Sequence, residues 1–278
     1  MKVGFLGAGK MAQALIRGII SSGQVVPSDI SASCPPFDKQ LLEATKEIGI
    51  GNATHDNKEV ADVADVVFLA VKPNHMASLA AETSKVLTRD KLVVSIAMGL
   101  DLKALEHMFP LARMVRVMPN LPCVVQAGAS GYAIGSKCLE TDSSVVQSLL
   151  SAVGFAEELP ESQLDGVTGL AGSAPAYVFT ILEAMANAGV KMGIPHQTSL
   201  KFACHTLAGS AKMLLETGEH PAILKDAVQS PAGSTIYGSH CLESSGLRGI
   251  VMDTVLAAAG RSVETRKSAE AQRQSVKQ

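Results

Sequence analysis

The sequence predicts an α/β half built on a mostly parallel sheet, followed by an all-helical half. Three observations carry that expectation. Short uninterrupted apolar runs, among them 65–71 and 91–96, alternate with stretches of helical periodicity, as strands buried on both faces of a parallel sheet do. A glycine turn, Gly7-Ala8-Gly9, joins the first run to the first helical stretch. After residue 165 the strand pattern disappears, and helical segments rich in Ala and Gly follow. The 278 residues suffice for two medium domains, and Pro160-Glu161-Ser162 marks a break that divides them into 1–164 and 165–278.

Residues 2–6 form the first strand, and Met11, Ala12, Ala14, Leu15, Ile19 and Ile20 recur at helical spacing until Gly23 stops the helix. A second strand spans 29–33, and Pro35-Pro36 opens a helix that runs to about Lys46. The runs 65–71 and 91–96 are strands separated by a helix over 75–87. Further strands are expected at 113–117, 128–134 and 154–158, with a helix at 142–151. The second half reads as helices 175–190, 197–217, 220–229, 234–244 and 247–270. Small residues let such helices approach closely, with Met185, Met192, Met213 and Met252 as gap-fillers. Cys204 falls in an apolar run there and is expected in the core. A long helical half of this composition predicts burial against a second subunit, hence a dimer.

Lys and Arg number 24 against 26 Asp and Glu, a net charge of -2, which excludes a general nucleic-acid binder with its concentrated positive face. Near the end, Arg261, Arg266, Lys267, Arg273 and Lys277 are interleaved with Glu264 and Glu270 and read as an ordinary solvated surface. Aromatic residues make up 4% and Trp is absent, which argues against base or sugar platforms. No apolar run reaches the roughly 18 residues of a membrane-spanning helix, so no membrane partner is expected. The first strand begins at residue 2, which leaves no leader segment. Cys34, Cys123, Cys138, Cys204 and Cys241 are scattered, without the spacing of a metal site or the density of a disulfide scaffold. A reducing, cytoplasmic setting and no metal are expected.

In the glycine turn, Gly7 permits the tight bend, Gly9 lets the backbone approach a pyrophosphate, and Ala12 holds the third small position of a Rossmann-like G-x-G-x-x-G/A pattern. The phosphates would sit on spare amides at the helix start, beside Lys10 and Met11. An NAD site usually carries Asp or Glu at the end of the second strand. This chain has Ser31-Ala32-Ser33-Cys34-Pro35 instead, so Ser33 is expected to meet a 2'-phosphate and Asn57 to contact the adenosine end. With no arginine adjacent, the expected preference for NADPH is moderate rather than strict, and NADH stays open as a coenzyme. The loops Val71-Lys72-Pro73 and Ala97-Met98-Gly99 end neighbouring strands and point to the nicotinamide, as does Asn120 within 116–122. Asn120 has the alternative of holding a nearby loop, and Arg116 that of a structural ion-pair partner.

In the helical half, Gly169-Leu170-Ala171-Gly172-Ser173-Ala174-Pro175-Ala176-Tyr177 and the segment 224–235 each place small hydroxyl residues and a proline at a helix start, where spare amides can receive a carboxylate. With the glycine turn, Ala70-Val71-Lys72-Pro73, Arg116-Val117-Met118-Pro119-Asn120-Leu121-Pro122, 188–195, His220-Pro221 and 242–248, they resemble the pyrroline-5-carboxylate reductases over about residues 2–266. The resemblance implies reduction of a cyclic imine to proline by NAD(P)H. It also implies an intertwined dimer, often assembled into a ring-like decamer, with each active site built from a nucleotide domain and helical elements of both subunits. Ser230, Gly233, Ser234 and Thr235 match the family's substrate loop, Thr235 as the residue bonding the ring nitrogen, with Glu219 as a further contact.

The family commonly has glycine where this chain has Ala174 and Ala232, and alanine where it has Met98. A left-handed backbone at either alanine would be strained. Three alternatives stay open at this stage: a β-hydroxyacid dehydrogenase, for which Lys191 and Lys201 lack the motif context; a reductase of another cyclic imine; and a dinucleotide-binding regulatory protein. His75, His107, His205, His220 and His240 show no metal-site pairing, His220-Pro221 reads as a helix start, and Cys123 as a packing residue.

Overall fold

The computed structural model describes residues 1–275; Lys277 and the side chain of Arg273 lie outside the described residues. β1 (Val3–Leu6) is four buried residues and leads through the glycine turn into α1 (Lys10–Ser21), whose Ala12, Leu15, Ile16 and Ile19 pack inward. After β2 (Ile30–Ser33), α2 (Lys39–Lys46) begins at Asp38, whose carboxylate accepts the Leu41 amide. The helix expected from Pro35-Pro36 thus starts later, at the residue whose side chain can cap it.

The apolar pattern gives no sign of β3 (Asn52–Thr54), or of α3 (Asn57–Val63), which Asp56 caps through the amides of Lys58 and Glu59. β4 (Val66–Leu69), α4 (Met76–Thr83) and β5 (Leu92–Ser95) follow, then the unforeseen α5 (Leu102–Met108), capped by Asp101. β6 (Arg113–Met118), β7 (Gly128–Ile134), α6 (Asp142–Ser151) and β8 (Gly154–Glu158) complete the sheet.

The strand order is β3-β2-β1-β4-β5-β6-β7-β8. Val3 stands opposite both Ile30 and Val66, so β1 is parallel to β2 and β4. β7 pairs antiparallel with β6, and β8 runs parallel to β7. Apolar clusters cover both faces, one around Phe5 and Phe68, which stack at 4.8 Å, the other around Leu6, Leu69 and Leu105. The chain reverses its direction of travel across the sheet between β1 and β4, and the crevice at that switch is where open α/β sheets bind ligands.

The chain forms two compact units, residues 1–173 with the described residues from 257 on, and residues 174–256. The sheet unit runs past the expected 164/165 division, because α7 (Leu164–Val167) buries Leu164 completely in the cluster around Leu6 and Leu69.

In the other unit, α8 (Ala174–Lys191) ends at Gly193, at φ 90, and α9 (His196–Thr217) packs back on it. Ser199 Oγ donates to the Ala186 carbonyl at 2.8 Å across this contact. α10 (Pro221–Ala227), α11 (Ser234–Ser244) and the start of α12 (Leu247–Ser275) complete the unit. Ala186, Gly189, Ser199 and Ala203 are its only buried positions among the described residues, while Phe179, Phe202, Leu215 and Tyr237 are exposed. Four small buried residues make no core, and so large an apolar surface calls for a second subunit. Cys204 is likewise exposed rather than in a core, since its face of α9 has little to pack against within one chain.

Candidate active site

Gly7 has φ 103, and a Cβ there would stand 2.7 Å from the Ala70 carbonyl oxygen, so the turn itself requires glycine. The Gly7 amide donates to the Ser33 carbonyl at 3.1 Å and ties the ends of β1 and β2 together. Gly9 differs: its φ is -65, and a Cβ there would meet nothing within 4 Å. No contact inside the chain demands a glycine at that position, but a group lying across the turn would. α1 has no side-chain cap and no acidic residue in its first turn. Its first amides therefore keep hydrogen-bonding capacity at the positive end of the helix, the arrangement that receives a pyrophosphate. Ala12 is fully buried and lets α1 close onto the sheet. These features fit a dinucleotide.

At the next strand ends, Lys72, Pro73 and Met98 are exposed and Val71 half-buried. Ala97 is buried, its amide donating to Ser95 Oγ at 3.3 Å, and Gly99 sits at φ 76. β1, β4 and β5 thus bring the glycine turn and both predicted nicotinamide loops to one edge of the sheet.

Two predicted coenzyme contacts have their side chains bonded within the chain. Ser33 is completely buried, and its hydroxyl donates to Asn57 Oδ1 at 2.7 Å. It supports Asn57. Asn120 Oδ1 accepts the Ala129 amide at 2.9 Å and its Nδ2 donates to the Ala171 carbonyl at 3.2 Å. The buried amide of Asn120 clamps loops together, the alternative role its sequence position allows. Asn57 stays half-exposed, with Nδ2 donating to Glu82 Oε2 on α4 at 2.8 Å. Glu82 carries no sequence signal, because nothing in α4 marks it as a partner of α3.

Arg116 is a structural ion-pair partner. It is buried beside Glu161 at 3.2 Å and Asp165 at 3.7 Å. Asp165 also accepts from Arg266 Nε at 3.0 Å and Ser262 Oγ at 2.9 Å. Arg266, read from the sequence as part of a solvated end, therefore ties the last turns of α12, within the sheet unit, to Asp165. Cys123 is fully buried, and burial pushes its thiol pKa up, as suits a packing residue.

In the helical unit, the Gly233 amide donates to the Ser230 carbonyl at 3.0 Å and closes a turn over Pro231 and Ala232. Ala232 has φ 59, a left-handed conformation, whereas Ala174 begins α8 with negative φ. α11 then starts at Ser234 with Gly233 as its cap residue and no side-chain acceptor. Ser230, Ser234 and Thr235 are exposed around these amides, as is Glu219. His220 Nδ1 accepts the Ala222 amide and caps α10, the helix start expected of it. Among the described residues no cluster of three or more His, Cys, Asp or Glu is arranged to hold a metal, and no helix is long and apolar enough to cross a membrane.

Comparison with known proteins agrees with both halves. A family model for pyrroline-5-carboxylate reductase dimerisation matches residues 161–265, and one for coenzyme F420-dependent NADP oxidoreductases matches 2–99. The chain is 43% identical over 267 residues to pyrroline-5-carboxylate reductase of Methanosarcina acetivorans, spanning 96% of this chain and 98% of the relative. It is 40% identical over 274 residues to human pyrroline-5-carboxylate reductase 2, spanning 97% and 85%. Among solved structures, the pyrroline-5-carboxylate reductase of Coxiella burnetii superposes with a TM-score of 0.89 at 33% identity, over 95% and 98% of the two chains. The Plasmodium falciparum pyrroline carboxylate reductase, solved with NADP bound, gives 0.84 at 31%, over 96% and 98%. A Rossmann-like sheet with its glycine turn, a helical unit that lacks a core of its own, and identity at this level across nearly the whole chain place the protein in the pyrroline-5-carboxylate reductase family.

Proposed function

We propose that this protein reduces 1-pyrroline-5-carboxylate to L-proline, the last step of proline synthesis, with NADPH or NADH as the reductant. The observation that carries the reading is the start of α11, where uncapped amides, exposed hydroxyls and Thr235 stand together in the second half of a chain whose first half fits a dinucleotide.

A protonated cyclic imine is electron-poor at its C=N carbon, and a reduced nicotinamide, when bound, supplies the hydride for that carbon. Hydride and one proton together turn the imine into a secondary amine, so the chain needs no nucleophile. Its work is placement, holding reacting atoms about 3–3.5 Å apart. The amides of Gly9, Lys10 and Met11 hold the pyrophosphate at the turn that Gly7 bends, and Asn57 holds the adenosine end. Val71, Lys72, Pro73, Ala97 and Met98 border the nicotinamide. The amides of Ser234 and Thr235, with the Ser230 hydroxyl, receive the substrate carboxylate beside Gly233, and Glu219 is a further contact. The Thr235 hydroxyl bonds the ring nitrogen. A neutral hydroxyl is a weak acid, so Thr235 orients or relays a proton that arrives with the substrate or from water.

The helical dimer is the unit of assembly, and the family resemblance supports a ring-like decamer of such dimers. Five free cysteines fit a reducing cytoplasm. Neither nucleic acid nor membrane is a partner on this reading. The test is loss of NADPH and NADH absorbance with pyrroline-5-carboxylate and proline as the assayed product. Thr235→Ala should lower kcat/KM by about 10–100-fold, the worth of a hydrogen bond to a charged group. A folded protein that binds coenzyme yet makes no proline would refute the assignment.

A further inference from the structure

NADPH and NADH differ by one phosphate on the adenosine ribose, so the residues around the end of β2 decide between them. An NAD site usually carries a carboxylate on that strand, where it accepts the ribose hydroxyls and repels a phosphate. β2 ends here in Ser33-Cys34-Pro35 and supplies none. The structure brings a carboxylate in from another element. Ser33 Oγ donates to Asn57 Oδ1 at 2.7 Å, and Asn57 Nδ2 donates to Glu82 Oε2 at 2.8 Å. This relay joins β2, α3 and α4 and fixes the Asn57 amide, oxygen toward β2 and nitrogen toward α4.

Glu82 also lines an open groove of about 650 Å³ at the carboxyl end of β3, with His55, Asp56 and Lys58 on its walls. The other acidic groups nearby have structural partners. Asp56 accepts the amides of Lys58 and Glu59, and the Glu59 carboxylate accepts from Asn52 and Thr54. Glu82 is the exposed charge that the relay connects to the end of β2.

We propose that Glu82 sets the coenzyme preference, as a positioning residue that orients Asn57 and as a negative charge that weakens the hold on a 2'-phosphate. This rests on the coenzyme site of the proposed function but not on the imine being the substrate. It makes the carboxylate that β2 lacks a contribution of α4.

Two substitutions separate the two actions. Glu82→Gln keeps an acceptor for Asn57 and removes the charge, whereas Glu82→Ala removes both. Glu82 is exposed, so neither change disturbs the core. The readout is the dissociation constant of NADPH and of NADH, each titrated calorimetrically into the dimer without substrate. In E82Q, binding of NADPH relative to NADH should improve about fivefold at low salt, and the gain should shrink as ionic strength rises. E82A should bind both coenzymes about fivefold more weakly than E82Q, since Asn57 loses its anchor. An unchanged coenzyme ratio in E82Q, or equal affinities in E82A and E82Q, would overturn the proposal. Because no imine is present, these outcomes are independent of whether proline is formed.

Discussion

Ala232 offers the sharpest test of how the substrate turn is built. The Ser230–Gly233 turn has Pro231 second and a left-handed third residue, Ala232 at φ 59. That is the pattern of a type II turn, which favours glycine in third place. An L-residue held left-handed carries about 1–2 kcal/mol of strain that glycine avoids. Ala232→Gly removes this strain but adds about 0.4–1 kcal/mol of unfolded-chain freedom, so global stability should rise by only about 0–1.6 kcal/mol. Binding should respond as well. The turn is exposed, and whatever strain a ligand adds by tightening the left-handed form appears as lost affinity. Relief of about 1 kcal/mol corresponds to about fivefold. We expect A232G to lower KM for pyrroline-5-carboxylate by about that factor at saturating NADPH, with kcat unchanged. Ala232→Val, with a β-branched side chain in the same backbone region, should raise KM by about tenfold or more. Steady-state kinetics and thermal unfolding of both variants provide the check. A232V with native KM would refute the reasoning, because a turn held left-handed has no strain-free place for valine.

The two glycines of the first turn should behave oppositely. Gly7→Ala puts a methyl 2.7 Å from a backbone carbonyl at φ 103 and should cost about 2 kcal/mol or more in thermal unfolding. Gly9→Ala should leave stability within about 0.5 kcal/mol, since the new methyl meets nothing, while weakening NADPH about tenfold in a direct titration; normal binding by G9A would show that no phosphate crosses there. Arg116→Met should cost about 3 kcal/mol in denaturant unfolding, because it strips one partner from a buried pair with Asp165. Arg266→Met acts on the same carboxylate, but its side chain is 27% exposed, and it should cost only about 1 kcal/mol; equal losses would contradict the burial argument.

Which parts of the molecule are legible in its sequence follows from how local their causes are. β1, β4 and β5 are read directly because strands buried on both faces carry near-continuous apolar runs, here broken only by Ser95 at the end of β5. β3 is not, since Asn52-Ala53-Thr54 lies half-exposed at the sheet edge and has no such constraint. The glycine turn is legible for the same local reason, as Gly7 answers to its own φ. The partners of Ser33 and Asn120 are not legible because the sequence gives a polar group's bonding capacity and not its partner. The Ser33 hydroxyl is taken by a residue 24 positions away and the Asn120 amide by one 51 positions away. Glu82 is the converse, a carboxylate linked to the end of β2 through Asn57 by a contact 25 positions long.

The two alanines in place of family glycines show the same division. From the sequence, Ala174 and Ala232 are equivalent departures, each adding one methyl. The backbone separates them. Ala174 begins a helix of 18 residues, where alanine is the most favourable choice, so that replacement helps α8 form. Ala232 occupies the left-handed corner of the turn that feeds the Thr235 helix. The cost of departing from the family pattern therefore falls on one residue, three positions before the threonine on which the proposed chemistry depends. It should appear in substrate affinity and leave the fold intact.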